Sequence, residues 1–381
     1  MNEATAFPGV LEFTRALISR RSLTPDDAGC CELIGAQLQR QGFTLEWMNR
    51  EGITNLWATI GSGAPLVVLA GHTDVVPTGP LQQWHSDPFQ PEIRDGVLYG
   101  RGAADMKSGL AAMVGASGRL LRQGAIRGTL AYLITSDEEG AAQYGTRHVA
   151  AVLKERGIKP DFAVVGEASS HLTLGDRIVV GRRGSLGCNL KVFGKQGHVA
   201  YPHKADNPIH RLAPALAELV ATEWDRGNAH FPPTSFQISN VHAGTGANNV
   251  IPGEADVIFN FRYCTESTAE SLKRGVTAVL DKYLPSYEAN WWHSGEPFLT
   301  QQARLIGAAR DAIAEVTGIT QPELFTGGGT SDARFLAPLG AEVVEIGPIN
   351  DSIHKIDEHV NVADLDRLSA IYEGVFRRLL R

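Results

Sequence analysis

The chain has 381 residues, of which 43% are hydrophobic and 20% charged, a composition typical of a folded globular protein that excludes collagen-like and disordered chains. Its 35 basic and 42 acidic side chains give a net charge of −7, so no basic surplus exists to bind a nucleic-acid backbone. The four cysteines lack CxxC or framework spacing, which favours free thiols in a reducing compartment. The sequence shows no secretory pattern and no apolar run near 20 residues, so we expect a cytoplasmic protein with no membrane contact.

Two amphipathic stretches open the chain, and short apolar runs then alternate with helical patterns. The apolar runs are rich in Val, Ile and Leu and are too short for helices, so they predict buried strands of a mostly parallel sheet covered on both faces. This alternation is typical of the α/β class. Strands are predicted at 65–70, 128–134, 161–165 and 341–346, and helices at 10–18, 30–41, 106–122 and 146–156.

The pattern changes between about Gly184 and Gly295, where strands and helices follow in the order β-α-β-β-α-β. This order predicts a ferredoxin-like α+β domain. We therefore expect a catalytic domain formed by residues 1–183 and 295–381, interrupted by a smaller domain at 184–294. Within the smaller domain, strands are predicted at 185–193, 235–241, 254–262 and 287–293, and helices at 208–224 and 268–283.

Polar side chains of metal-ligand type follow each predicted buried strand. In a parallel sheet these strand ends share one edge, where ligands bind. A glycine-punctuated loop at 100–107 adds Asp105, which on its own is the pattern of a helix N-cap. The side chains after the strands are His72 and Asp74, Glu138 and Glu139, Glu167, and His354.

Imidazole and carboxylate ligands without cysteine suit catalytic Zn²⁺ or a similar divalent ion. A single catalytic ion needs only three protein ligands, whereas two ions about 3.5–4 Å apart use five. We predict that Asp105 bridges two ions. His72 and Glu167 are assigned to one of them, and Glu139 and His354 to the other.

Two further carboxylates have predicted roles beside the metal ligands. Asp74 is expected to accept the free ring N–H of His72 and so to select its tautomer. Glu138 is expected to be the general base, which takes a proton from the activated water and delivers it to the leaving amine.

Four segments carry a family resemblance: 71–77, 100–107, 136–140 and 166–167. They resemble the co-catalytic zinc family of carboxypeptidases, aminoacylases and amino-acid deacylases, over essentially the whole chain. The resemblance implies two Zn²⁺ per subunit, with Co²⁺ as a candidate substitute. It also implies a catalytic domain interrupted by a ferredoxin-like lid through which the protein forms a homodimer.

Four more segments, 20–30, 181–186, 197–203 and 327–334, are similar to family members that cleave N-succinyl-LL-2,6-diaminopimelate. The implied reaction yields succinate and LL-2,6-diaminopimelate, in the biosynthesis of lysine and the cell wall. By this resemblance His198 polarises the scissile carbonyl across the dimer interface. The implied substrate contacts are Arg182, Ser185, Tyr201, Asn248, Arg262, Gly329, Thr330 and Asn350.

Two alternatives remain open at this stage. The same metal site could serve an acetylornithine-type deacetylase or a related N-acyl-amino-acid deacylase, because the direction of the side chains facing the acyl group is not readable from sequence. A non-catalytic binding protein on the same fold is the alternative from another class. A nucleotide-binding loop is rejected, since the glycine run at 327–329 lacks the following Lys-Ser/Thr.

Overall fold

The computed structural model describes residues 7–301 and 304–381. The described residues form two compact units. The first unit combines the described parts of Met1–Gly181, Leu299–Phe325 and Ser331–Arg381. The second combines Arg182–Phe298 with Thr326–Thr330.

The strands of the two large sheets are β1 (Thr44–Trp47), β2 (Asn55–Ser62), β3 (Leu66–His72), β4 (Gly128–Thr135), β5 (Phe162–Val165), β6 (Arg177–Val179), β7 (Gly184–Phe193), β8 (Ser235–Ala243), β9 (Glu254–Tyr263), β10 (Tyr287–Gly295), β11 (Glu323–Phe325) and β12 (Glu342–Glu345). The helices are α1 (Val10–Ile18), α2 (Cys30–Arg40), α3 (Ser108–Arg122), α4 (Thr146–Glu155), α5 (Pro208–Ala221), α6 (Ala269–Tyr283), α7 (Arg304–Thr317), α8 (Ala333–Leu336) and α9 (Val362–Leu380). Short strands lie at Glu92–Arg94, Val97–Tyr99, Gly181–Arg182, Gly197–His198, Val250–Ile251, Phe298–Leu299 and His359–Asn361.

The first unit is built on an eight-stranded sheet in the order β1-β2-β4-β3-β5-β12-β6-β11. The four central strands β4, β3, β5 and β12 are parallel. At the edges β1 and β2 run antiparallel, and β6 pairs with β12 in the antiparallel sense. The edge strands β6 and β11 are parallel to each other. The sheet is therefore mixed, with the predicted parallel arrangement among its four central strands, and the predicted α/β class is confirmed.

One helix approaches this sheet so closely that only glycine fits at the contact. Helix α3 packs against α1 and α9. A Cβ atom on Gly109 would lie 2.3 Å from the backbone oxygen of Gly166, so the first turn of α3 approaches the end of β5 as closely as only glycine allows. This approach places the segment that carries Glu167 directly beside the start of α3. None of the described helices has both the length and the apolar character needed to cross a membrane.

The second unit contains a four-stranded antiparallel sheet in the order β8-β9-β7-β10. Inward residues such as Leu190, Phe259 and Phe261 are fully or almost fully buried and form a core with α5 and α6. In strand order along the chain this is the 4-1-3-2 arrangement of a ferredoxin-like sheet, as the sequence pattern predicts.

The second unit also takes in a short segment that was predicted to belong to the catalytic domain. Thr326–Thr330 lies with this unit, whereas the sequence pattern assigned all of 295–381 to the other. The physical reason is local hydrogen bonding: Arg182 Nη1 donates to the Gly327 carbonyl at 2.8 Å, and the Thr326 hydroxyl donates to the His230 carbonyl.

Candidate metal and catalytic site

The five predicted metal ligands meet in the first unit, around the carboxyl ends of its parallel strands. His72 is the last residue of β3, and Glu139 and Glu167 follow β4 and β5 within a few residues. His354 lies on the connection between β12 and α9, with a positive φ of 60°. The shared edge of the central strands therefore brings together residues that are far apart in the sequence.

Asp105 lies between the two histidines and directs one carboxylate oxygen toward each. Its Oδ1 is 3.1 Å from His72 Nε2, which is also 3.6 Å from Glu167 Oε1. Its Oδ2 is 3.3 Å from His354 Nε2, which is 2.9 Å from Glu139 Oε1. The geometry thus has the form of two histidine–carboxylate pairs that share one carboxylate. Asp105 is not a helix N-cap, because α3 begins only at Ser108 and Asp105 lies in the preceding turn.

The structure corrects the predicted role of the Asp74 side chain. The His72 ring Nδ1–H donates to the backbone carbonyl of Asp74 at 2.8 Å, whereas the nearest oxygen of the Asp74 carboxylate is 3.6 Å away. The carboxylate instead accepts the backbone N–H groups of Glu138 at 3.3 Å and Glu139 at 3.1 Å. The carboxylate points away from the ring toward these two N–H groups, which leaves the carbonyl as the acceptor for the ring. Asp74 therefore orients His72 through its backbone and the Glu138–Glu139 turn through its side chain.

Glu138 lies beside this cluster, with a side chain that is only 10% exposed. One of its oxygens falls within 4.8 Å of ligand atoms of His72 and Glu167. Burial raises the pKa of Glu138 to about 8, with the Asp332 and Glu139 carboxylates adding to the rise and His72 and Arg334 opposing it. A carboxyl group in such a position is suited to accept and return a proton near neutral pH.

The charges of the cluster indicate how well a metal ion would fit. Burial raises the pKa of Glu167 well above its usual value, and the nearby Asp105 carboxylate adds to this rise. Burial by itself would lower the pKa of His72, but Asp105, Glu167 and Asp74 together raise it well above its usual value. Hydrogen bonds to Asp105 and Glu139 raise the pKa of His354 to about 10. Buried carboxylates that repel one another and share imidazole partners suit divalent cations, and this set of nitrogen and oxygen donors fits Zn²⁺ or a similar divalent ion.

Two residues that the sequence analysis left without a role lie next to Glu138. Arg334 is 7% exposed, and its Nη2 is 3.9 Å from Glu138 Oε1. Asp332 is 1% exposed and accepts the Thr146 hydroxyl at 2.7 Å, while its other oxygen has no hydrogen-bond partner among the described residues. Both lie in the 327–334 segment quoted for its resemblance, but nothing in the local pattern indicates that their side chains turn toward Glu138.

The predicted oxyanion and substrate residues are divided between the two units. His198 ends the short strand Gly197–His198, is exposed, and accepts the Ala200 N–H through Nδ1 at 3.1 Å. Ser185 and Arg262 are directly paired across β7 and β9. Asn350 belongs to the first unit, where its N–H donates to the Ser170 carbonyl at 3.0 Å. The remaining predicted contacts lie in the second unit: Arg182, Tyr201, Asn248, Gly329 and Thr330.

Similarity to known proteins identifies the family to which the chain belongs. The sequence profile described as peptidase family M20/M25/M40 matches residues 68–378. The chain belongs to this family. The succinyl-diaminopimelate desuccinylase of Thioalkalivibrio sulfidiphilus is 58% identical to it over 371 residues, which cover 97% of this chain and 98% of that protein.

Two solved structures have a similar fold. The aminopeptidase PepT of Bacillus cereus superposes with a TM-score of 0.81 at 20% identity, covering 98% of this chain and 99% of that one. A dinuclear metal binding peptidase of the M20 family from Bacillus subtilis gives a TM-score of 0.72 at 17% identity, with 97% of each chain covered. The chain thus combines the M20 fold with histidine and carboxylate groups placed to hold metal.

Proposed function

We propose that this M20 protein hydrolyses N-succinyl-LL-2,6-diaminopimelate to succinate and LL-2,6-diaminopimelate, with two zinc ions per subunit. The observation that carries the reaction class is the position of Asp105, whose two oxygens face two separate histidine–carboxylate pairs. The succinyl substrate is favoured by the name of the relative that is 58% identical over nearly the full length of both chains.

In this proposal His72 and Glu167 would hold one ion and Glu139 and His354 would hold the other, with one oxygen of Asp105 available to each. When bound, the metal supplies polarisation of the amide carbonyl and a lowered pKa for the attacking water.

Glu138 accepts the proton of that water at a carboxylate oxygen and passes it to the nitrogen of the leaving amine. Its burial keeps bulk water from competing for the proton, and Arg334 at 3.9 Å partly offsets the negative charge that the carboxylate carries before it takes the proton. His198 donates to the oxyanion of the tetrahedral intermediate, across the interface of a homodimer.

The carboxylates of the substrate require fixed donors, and arginine offers two parallel N–H groups to each carboxylate. We assign this role to Arg182 and Arg262, both of which are partly buried in the second unit. Ser185, Tyr201, Asn248, Gly329, Thr330 and Asn350 complete the proposed substrate contacts.

A parallel rate assay on metal-stripped protein tests both the metal and the substrate. We expect two equivalents of Zn²⁺ to restore cleavage of N-succinyl-LL-2,6-diaminopimelate and not of N-acetylornithine, with Co²⁺ tested as a replacement. Cleavage of N-acetylornithine alone would support the proposed metal site but would show that the enzyme removes an acetyl group and not a succinyl group. Binding of the succinyl substrate without zinc-dependent turnover of either compound would favour a binding protein on this fold.

The second unit has surface features that support the proposed homodimer. Strand β8 lies at the edge of its sheet, with backbone groups open to a further strand. Val241 on β8 is 53% exposed, and Val220 on α5 is 65% exposed. Large apolar side chains beside an open sheet edge are typical of a surface that pairs with another copy.

Mixing two inactive variants tests whether His198 acts across the dimer. A dimer of one Glu138→Gln and one His198→Ala chain contains one site with both residues intact only if His198 comes from the other subunit. We expect co-refolded equimolar chains to recover about a quarter of the wild-type rate, because half of randomly assorted dimers are mixed and each has one complete site. A mixture that light scattering shows to contain mixed dimers but that stays inactive would place His198 in its own subunit's site.

A further inference from the structure

One buried carboxylate outside the ligand set holds the loop that carries Asp105. Glu358 is 1% exposed, and its Oε1 accepts the N–H groups of Ala104 and Asp105, each at 2.9 Å. Its Oε2 accepts the Gly102 N–H at 2.9 Å and Arg101 Nη1 at 2.8 Å. Four donors from one short loop therefore converge on a residue 257 positions away from Arg101 in the sequence.

The geometry of the loop explains why it needs an anion. Gly102 has a φ of +81°, which turns successive N–H groups toward one side. Such a concave array of backbone N–H groups binds a negative charge, and here the Glu358 carboxylate provides it. Removing this charge would leave three buried N–H groups and the Arg101 guanidinium without their acceptor, which is costly in a buried site.

Arg101 extends the same contact to the loop that carries His354. It is 1% exposed, and its Nη1 donates to the carbonyl of Lys355, the neighbour of His354, at 3.0 Å. Its Nη2 donates to the Pro77 carbonyl at 3.2 Å, on the segment after Asp74. The Glu358–Arg101 pair is thus hydrogen-bonded both to the backbone of Asp105 and to the backbone beside His354.

The His354 side chain has few restraints apart from its site partners. It is 50% exposed, and its contacts in the cluster are with Asp105 and Glu139. By comparison the His72 ring is 1% exposed and is fixed by the Asp74 carbonyl on its other nitrogen. A change in the relative position of the two loops would therefore affect the His354 half of the site more than the His72 half.

We propose that Glu358 and Arg101 form a positioning pair that sets the distance between Asp105 and His354, and so determines the affinity for the ion held by Glu139 and His354. The inference rests on the proposed two-metal function. Partners that orient metal ligands without touching the ion typically change metal affinity or activity by about 10–100-fold when they are removed.

Cobalt titration of metal-free protein, followed by visible absorption, tests this pair without using substrate. For Glu358→Gln we expect the first equivalent to bind as in the wild type and the second to bind about 10–100-fold more weakly. We also expect high free Zn²⁺ to restore kcat, with KM within about twofold of wild type, because the defect lies in metal occupancy. An unchanged second affinity, or a low kcat that added Zn²⁺ does not restore, would overturn the inference.

Asp225→Asn is the matched control. Asp225 is also a carboxylate that accepts several donors, including the N–H groups of Gly227 at 3.0 Å and Thr234 at 2.8 Å, but it belongs to the second unit. We expect this variant to bind both cobalt equivalents as the wild type does. An equal loss of the second ion in Asp225→Asn would mean that the effect is one of general stability.

Arg101→Lys provides a second test if Glu358→Gln does not fold. A lysine keeps the positive charge but has no planar fork with which to reach Glu358, Lys355 and Pro77 together. We expect the second cobalt affinity to fall in the same direction by a smaller factor, and an unchanged affinity would overturn the inference. Wild-type protein that binds two ions but does not cleave the succinyl substrate would refute the proposed substrate and leave this inference standing.

Discussion

Replacing Glu138 by glutamine is expected to lower kcat by about 10²–10⁴-fold, with little change in KM or in the bound metal. The amide keeps the size of the side chain but has no basic oxygen that can take a proton from the attacking water. Because the Glu138 carboxylate transfers a proton in the transition state and does not bind the substrate in the ground state, kcat and kcat/KM should fall by the same factor. Steady-state rates at saturating Zn²⁺, together with metal content by mass spectrometry, measure this.

The neighbouring Glu139→Gln variant is the control for this prediction. Glu139 has the same side chain one residue along, but its Oε1 lies 2.9 Å from His354 Nε2. We therefore expect Glu139→Gln to lose part of its metal and to regain rate as Zn²⁺ is raised, which Glu138→Gln should not do. If Glu138→Gln loses metal while Glu139→Gln keeps it, the two roles are exchanged.

Replacing Asp105 by asparagine is expected to weaken both metal ions at once and to lower kcat/KM by about 10³-fold or more. Asp105 is the one ligand whose two oxygens face both His72 and His354, at 3.1 and 3.3 Å. An amide offers one weaker oxygen in place of two charged ones. This fall in kcat/KM corresponds to the loss of several kcal/mol of charge stabilisation at the reacting carbonyl, because each tenfold change in rate is worth about 1.4 kcal/mol.

Single-site variants separate this bridging role from ordinary ligation. Glu167→Gln and His354→Ala each remove a ligand from only one side of Asp105, so each should lose one ion preferentially and retain the other. Isothermal titration of metal-free protein with Zn²⁺ distinguishes the cases by stoichiometry and affinity. Two ions bound with wild-type affinity in Asp105→Asn would show that Asp105 does not bridge.

The sequence was sufficient to predict the elements that carry the site. Strand β3 was predicted at 65–70 and lies at Leu66–His72, and strand β4 was predicted at 128–134 and lies at Gly128–Thr135. Continuous runs of Val, Ile and Leu identify these strands, because strands buried on both faces have no polar side to alternate with. Once the strands are parallel, the residues after them must share an edge, so His72, Glu139 and Glu167 could be grouped without knowing the fold.

Contacts between side chains could not be read in the same way. The His72 ring bonds to the Asp74 carbonyl and not to its carboxylate, because the direction of the chain after β3 depends on backbone angles that the residue types leave open. Arg334 and Asp332 lie beside Glu138 because the segment that carries them packs against β12 and against α4 and β5, which are distant from it in the sequence. Thr326–Thr330 joins the second unit through hydrogen bonds that no local pattern encodes.

Glu358 marks the limit of the sequence analysis most clearly. In the sequence it is an acidic residue in a short polar stretch before the apolar Val360, with no spacing that relates it to the loop at 100–107. Its importance arises from four hydrogen bonds to residues about 250 positions away, which form only when the chain has folded.

The sequence alone determined which elements form and which types of metal ligand follow them, because periodicity and strand burial are local properties. Only the tertiary structure decided which groups orient those ligands, because long-range hydrogen bonds depend on how distant loops pack together.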